Sequence, residues 1–171
     1  MDGAALTASA QSGESGAFSG SMARPAVLVS ACLLGEPCRY DGRACACEGI
    51  GALSAAVEIV AVCPEVAGGL PIPREPAELS RGRATTRSGV DVTEAYRRGA
   101  AEAVRLACER GCRFAVLKER SPSCGYGEVY DGTFAGILVE GDGIAAAQLA
   151  KAGIEVFGES RIDELITLVK R

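Results

Sequence analysis

The chain has 171 residues, a formal net charge of −4, and neither histidine nor tryptophan. Its apolar fraction of 48% and charged fraction of 23% are ordinary for a globular protein, and its length is typical of one domain. The missing histidine excludes Ser-His-Asp and Cys-His catalysis and every zinc site with a histidine ligand, and no apolar run approaches the roughly 20 residues that a membrane-spanning helix needs.

The N-terminal segment, residues 1–24, is rich in Gly, Ser and Ala, and we predict a disordered tail followed by a single domain over residues 25–171. Val29–Cys32 reads VSAC, similar to the lipid-attachment motif of bacterial lipoproteins. An export signal needs an apolar stretch of about 7–15 residues, however, and here the apolar stretch before Cys32 is only Ala26–Val29. We therefore predict a cytoplasmic protein, whether translation starts at Met1 or Met22.

Strands and helices alternate from Pro25 onward. Short apolar runs predict strands at residues 27–31, 58–62, 113–118 and 154–157. Helical patterns predict helices at residues 51–57, from Asp91 to Gly111, at residues 144–151 and from Arg161 onward. This order favours an α/β, Rossmann-like three-layer fold with a mostly parallel sheet. Residues 80–90 are predicted to be a mobile basic loop, residues 119–127 another loop, and residues 128–143 a turn-rich segment.

Three of the eight cysteines follow predicted strands. Cys32 directly follows the first strand, Cys63 directly follows the second, and Cys124 lies in the loop after the third. Ligands of such folds bind outside the carboxyl ends of the strands, so the three thiols are expected to converge there. In a cytoplasmic protein several cysteines favour metal or redox chemistry over disulfides, although a free cysteine is also a common buried apolar residue.

The other cysteines have less informative surroundings. Cys108 is predicted to pack on the apolar face of the long helix, and Cys112 to pack just after it. Cys45 and Cys47 form a C-x-C pair, which we interpret as an incidental loop pair rather than a metal-binding clip. For Cys38 two interpretations stay open: it packs beneath the site, or it serves as an accessory thiol.

Several segments together resemble the thiouracil desulfidase (TudS) family. The resemblance extends from about Val27 to Phe157 and rests on the segments SACLLGEPCRYDG, VCPEVAGGLPIPREPAE, DVTEAYRRGA, LKERSPSCG and YDGTFAGILVEGDGIAAAQLAKAGIEVF. It implies a [4Fe-4S] cluster bound by Cys32, Cys63 and Cys124, with the fourth iron open. It also implies removal of sulfur from a thiolated pyrimidine as sulfide by non-redox hydrolysis. The alternatives are a non-enzymatic iron–sulfur sensor or sulfur carrier and a zinc-binding structural protein.

Within this resemblance Glu65 is the candidate general base, because it lies two residues after Cys63 and the chain has no histidine. Its alternative is a structural acid that caps a helix or pairs with Arg74. Ser121 and Ser123 are candidates for hydrogen bonds to the pyrimidine or to cluster sulfur, as is Ser30.

The expected partners are a small thiolated pyrimidine and the iron–sulfur assembly machinery, with thiolated tRNA as the alternative substrate and no membrane partner. Arg81, Arg83 and Arg87 could contact phosphate in a nucleic acid, but we favour a solvated loop. Arg39 and Asp41 are predicted to form a buried structural pair.

Overall fold

The computed structural model describes residues 24–171. The predicted disordered tail lies outside the described residues, apart from Arg24, and stays a prediction. No helix in the described part of the chain is long and apolar enough to cross a membrane.

Eight strands and five α-helices make up the described fold. The strands are β1 (Ala26–Ser30), β2 (Glu58–Val62), β3 (Ala77–Ser80), β4 (Arg83–Thr86), β5 (Phe114–Leu117), β6 (Glu128–Tyr130), β7 (Leu138–Glu140) and β8 (Glu155–Gly158). The helices are α1 (Ile50–Ala56), α2 (Pro64–Ala67), α3 (Thr93–Glu109), α4 (Ile144–Lys151) and α5 (Ile162–Val169).

The central sheet has four parallel strands in the order β2-β1-β5-β8. Side chains alternate between its faces, so Leu28 packs with residues of α3 and α4 while Val27 and Val29 pack with residues of α1 and α5. All five residues of β1 are buried, as expected for a central strand covered on both faces. The predicted α/β three-layer fold with a mostly parallel sheet is confirmed, and β2 and α4 have the predicted bounds.

Two antiparallel hairpins were not predicted. Residues 80–90 are not a mobile loop: β3 pairs with β4 through a two-residue turn in which Arg81 and Gly82 both have positive φ, 50° and 76°. Such turns match the twist of a hairpin, but their usual sequence signal is Asn-Gly or Asp-Gly, which is missing here. The second hairpin joins β6 to β7 within the segment predicted to be turn-rich.

The long helix α3 begins and ends near the predicted residues. Asp91 Oδ1 accepts hydrogen bonds from the backbone N–H and the hydroxyl of Thr93, and Gly111 follows the helix with a φ of 64°. The prediction for Cys108 was wrong, because this side chain is exposed. Ala103 and Ala107 carry the buried stripe of α3, and Cys108 is one residue beyond that stripe. Cys112 is buried in the core, as predicted.

Helix α2 lies directly against α3 at two glycines. A Cβ atom on Gly99 would lie 1.7 Å from the carbonyl oxygen of Pro64, and one on Gly68 would lie 2.0 Å from the carbonyl oxygen of Ala95. Since α2 begins directly after β2, this contact also fixes where Cys63 and Glu65 emerge from the sheet.

We predict that Gly99→Ala lowers the free energy of unfolding by about 1–3 kcal/mol, because the new methyl group forces α2 away from α3. Gly51→Ala in α1 is the matched control, since a Cβ atom there meets nothing within 4 Å. That change should raise stability by about 0.5–1 kcal/mol through backbone entropy. Urea denaturation measures both, and a Gly99→Ala protein as stable as the parent would contradict the close contact.

Candidate functional site

A cavity of about 520 Å³ lies at the carboxyl end of the parallel sheet. Its floor comes from the segments that follow β1, β2 and β5, and its outer wall comes from the two hairpins. The residues that line it include Ser30, Cys32, Cys38, Cys63, Glu65, Arg74, Glu78, Arg87, Tyr96, Ser121, Cys124, Tyr130 and Phe134.

The three predicted ligand thiols line this one cavity. Cys32 and Cys124 are buried, and Cys63 is half-buried at the N-terminus of α2. Convergence of the strand ends therefore occurs as expected, while the ligand role of these thiols stays a prediction. Among the described residues no group of three His, Cys, Asp or Glu side chains could hold a single metal ion. A single-ion site holds its thiolates closer together than a four-iron cluster does.

Burial controls the protonation of two of these thiols, Cys32 and Cys124. The pKa of Cys32 is raised to about 11, mainly by burial and in addition by the nearby thiols of Cys63 and Cys45. Burial also raises the pKa of Cys124, against a hydrogen bond from Ser30 that lowers it. The thiols of Cys32 and Cys124 therefore keep their protons at neutral pH unless a cationic group lies beside them.

Two further cysteines lie beside the predicted ligands. Cys38 lines the cavity, and burial together with Cys63 raises its pKa to about 12. The Cys63 thiol also faces the carbonyl oxygen of Cys38 at 3.7 Å. The backbone N–H of Cys45 donates to the carbonyl oxygen of Cys32 at 2.9 Å, whereas Cys47 packs against the core beneath α1 and α5.

Glu65 lies in the cavity and is also paired with Arg74. The Nε and Nη2 atoms of Arg74 both lie 2.7 Å from Glu65 Oε2, and the two side chains are only 7% and 13% exposed. The pairing that we gave as the structural alternative is thus present. Arg74 Nη2 also donates to the carbonyl oxygen of Cys38 at 3.1 Å. The guanidinium therefore connects the candidate base to the thiol-bearing loop.

Tyr96 lies beside the same carboxylate from the α3 side. Burial is the main cause that raises the pKa of Tyr96, and the Glu65 carboxylate raises it further. Tyr96 is 2% exposed, and its phenol stays protonated near the Glu65 carboxylate. No sequence pattern indicated this proximity, because Tyr96 occupies an ordinary apolar position of an amphipathic helix.

Ser121 lies in the cavity with a defined hydroxyl orientation. Its Oγ accepts the backbone N–H groups of Ser123 and Cys124, each at 3.1 Å. The hydroxyl proton is then free to point toward Glu65 Oε1, which lies 3.5 Å away. Ser121 therefore shapes the loop around Cys124 and contacts the candidate base.

Ser123 occupies a different place. It is fully buried and does not line the cavity, and its carbonyl oxygen accepts the N–H groups of Ala145 and Ala146 at the start of α4. Among the described residues its Oγ has no hydrogen-bond partner. The structure thus brings Ser121 and Glu65 together and leaves Ser123 outside the cavity lining, where its position does not support contact with a substrate.

The predicted basic and paired residues are distributed differently from expectation. Arg39 and Asp41 do form a pair, at 3.4 Å, but their side chains are 28% and 26% exposed, so the predicted burial was wrong. Arg83 pairs with Asp91 on the surface, whereas Arg87 lines the cavity.

Comparison with known proteins adds three findings. The family profile described as 2-thiouracil desulfurase matches residues 27–161. The protein YbbK of Bacillus subtilis (strain 168), described as uncharacterized, is 42% identical over 150 residues, which cover 82% of this chain and 99% of YbbK. A solved structure described as the [4Fe-4S]-dependent thiouracil desulfidase TudS is 47% identical, covers 85% of this chain and 98% of its own, and superposes with a TM-score of 0.81. The resemblance seen in the sequence segments is confirmed.

We predict that Arg74→Met lowers the free energy of unfolding by about 3–5 kcal/mol, because it leaves the buried Glu65 carboxylate without its partner. The double variant Arg74→Met/Glu65→Gln should recover much of that loss. The control is Arg97→Met, which breaks a pair whose side chains are 57% and 72% exposed and should cost about 0–1 kcal/mol. Equal losses for Arg74→Met and Arg97→Met in guanidinium titrations would show that burial of the pair has no energetic consequence.

Proposed function

The chain belongs to the 2-thiouracil desulfurase family, and we propose that it removes sulfur from a thiolated pyrimidine as sulfide with the help of an iron–sulfur cluster. The observation that carries the proposal is one cavity lined by three strand-end thiols and a carboxylate paired with Arg74. The reaction converts C=S and water into C=O and hydrogen sulfide. Its atoms balance without an oxidant or a reductant.

The donor set fits a cluster. Thiolates are the protein ligands of [4Fe-4S] clusters, and the cavity is lined by Cys32, Cys63 and Cys124 from three separate segments. In this proposal these three residues hold the cluster, and Cys38 binds no iron. When bound, such a cluster with an open iron supplies a Lewis acid that binds the soft thiocarbonyl sulfur.

Glu65 then activates water. Arg74 occupies Oε2 of its carboxylate with two nitrogen atoms, so Oε1 is the atom that takes the proton of the attacking water. Ser121 lies on the Oε1 side and can donate its hydroxyl proton to the same carboxylate oxygen or to the water. The structural and the catalytic interpretations of Glu65 are therefore compatible, because each uses a different oxygen.

The substrate class is a small thiolated pyrimidine, as the free base or the nucleoside. A cavity of about 520 Å³ lies within the usual range for small-molecule sites, about 300–1,000 Å³. The formal net charge of −4 and the neutralised Arg83 favour this substrate over a thiolated tRNA nucleoside. We further propose that the protein works in the cytoplasm and receives its cluster from the iron–sulfur assembly machinery.

We predict that the cysteines fall into two groups according to whether their replacement abolishes cluster binding. Cys32→Ala, Cys63→Ala and Cys124→Ala should each abolish cluster binding, whereas Cys38→Ala, Cys45→Ala, Cys47→Ala and Cys108→Ala should keep iron near the parent level. Iron and sulfide analysis of anaerobically purified protein measures this, together with the brown charge-transfer absorption of a cluster. Full iron content in Cys124→Ala would disprove the ligand assignment, and a colourless, zinc-containing parent protein would disprove the cofactor.

We predict that Glu65→Gln keeps the cluster absorption but lowers turnover on the order of 10²–10⁴-fold, the usual contribution of a general base. Glutamine has nearly the same volume and still accepts a hydrogen bond from Arg74, but it does not take up a proton. Single-turnover sulfide release from 2- and 4-thiouracil, normalised to intact cluster, is the measurement. Glu128→Gln is the control, since Glu128 is exposed on β6 and does not line the cavity. Unchanged turnover per cluster in Glu65→Gln would remove Glu65 from the mechanism.

A further inference from the structure

The outer wall of the cavity carries aromatic side chains that the proposed chemistry does not use. The chain has four Phe and four Tyr residues, and four of these eight line the cavity: Tyr40, Tyr96, Tyr130 and Phe134. Tyr96 lies near the Glu65 carboxylate, on the α3 side of the cavity. Phe134 instead lies in the loop between β6 and β7, and it is only half-buried.

Phe134 has a backbone conformation that bulky residues avoid. Its φ is 58°, in the left-handed region, where the Cβ atom of a phenylalanine is crowded by its own backbone. Phe134 belongs to none of the buried hydrophobic clusters of the described fold. Core packing therefore does not explain why an aromatic residue occupies this position, and strain of this kind concentrates at ligand-binding sites.

A carboxylate on the other hairpin holds the strained loop in place. Glu78 Oε2, on β3, accepts the backbone N–H of Phe134 at 2.8 Å and that of Gly132 at 3.0 Å. Close packing reinforces the contact, because a Cβ atom on Gly132 would lie 2.7 Å from the Cβ atom of Ser80. The backbone that carries the phenyl ring is thus held to both hairpins.

A cation lies over the ring. The guanidinium carbon of Arg87 is 5.4 Å from the centre of the Phe134 ring, and both residues line the cavity. The backbone N–H of Arg87 donates to the carbonyl oxygen of Pro76 at 3.0 Å, which fixes the start of this side chain. Arg87 has no acidic partner in the described part of the chain.

We infer that Phe134 is the platform on which the pyrimidine ring of the substrate stacks, with Glu78 as the residue that positions it. A fixed aromatic ring in a cavity, next to a guanidinium group, provides the stacking and cation–π surface that planar bases use in other proteins. The inference rests on the proposed function for the identity of the substrate. It assigns Phe134 to substrate binding and specificity, and not to the chemical step.

The test is Phe134→Leu in the cluster-containing protein, assayed with 2- and 4-thiouracil. Loss of a base–aromatic stack corresponds to a rise in KM of roughly 5- to 150-fold, with kcat within about 2-fold of the parent. Phe134→Tyr should restore the parental KM because it keeps the ring. Tyr126→Leu is the matched control: Tyr126 is an exposed aromatic residue outside the cavity lining, so its KM should not change.

A second variant separates binding from structure. Phe134→Gly removes the ring but also relieves the strain of the left-handed conformation, so its Tm should equal or exceed that of the parent while KM rises as in Phe134→Leu. Glu78→Ala should raise KM in the same way, because the loop loses its positioning bonds. A fall in Tm and in cluster content in Phe134→Gly would assign a structural role to the ring and overturn the inference.

Calorimetric measurement of uracil binding tests the stacking platform independently of sulfide release, and so separates this inference from the proposed function. We expect the Kd of uracil to rise in Phe134→Leu by the same factor as KM. If the parent protein binds uracil through Phe134 but releases no sulfide from thiouracil, the desulfidase proposal fails and the platform stands. If the parent releases sulfide but Phe134→Leu changes neither Kd nor KM, the platform is overturned and the desulfidase proposal stands.

Discussion

The contact between α2 and α3 is the constraint on which the site depends. Gly68 and Gly99 let the two backbones approach more closely than any side chain permits. Helix α2 comprises only Pro64–Ala67, so its contact with α3 fixes the positions of the two cavity residues at its start, Cys63 and Glu65. The direction in which the chain leaves β2 and enters the cavity is therefore set by the backbone contact between α2 and α3, and not by the loop sequence alone.

The buried Glu65–Arg74 pair connects the position of α2 to the residues around the cavity. A buried carboxylate is costly without a partner, and Arg74 supplies that partner while also bonding the backbone at Cys38. One guanidinium thus connects the carboxylate, the thiol-bearing loop after β1 and the segment after α2. Such a pair stabilises the site only as a unit. The pairing with Arg74 engages Oε2 of Glu65 and leaves Oε1 on the side of Ser121.

The parallel sheet and the two hairpins form different sides of the cavity. The sheet brings thiols from three strand ends to one place, as parallel sheets do in many α/β proteins. The hairpins contribute residues of the opposite wall, including Glu78, Arg87 and Phe134. The floor of the cavity thus follows from a widely used architecture, whereas the opposite wall is built from two short antiparallel hairpins.

The sequence by itself determined the layered architecture and the cluster of strand-end thiols. Both depend on local apolar patterns and on a general rule of parallel sheets, so the strand at residues 58–62, the helix at residues 144–151 and the convergence of Cys32, Cys63 and Cys124 could be predicted. Only the tertiary structure decided which of two nearby serines enters the cavity. The local sequence does not distinguish Ser121 from Ser123. In the fold, the carbonyl oxygen of Ser123 accepts N–H groups at the start of α4, while the hydroxyl of Ser121 faces Glu65. Hairpins with strands of three or four residues and an Arg-Gly turn leave little local signal, and the burial of Glu65 against Arg74 depends on α3 packing. These features rest on contacts between distant segments, which no local pattern encodes.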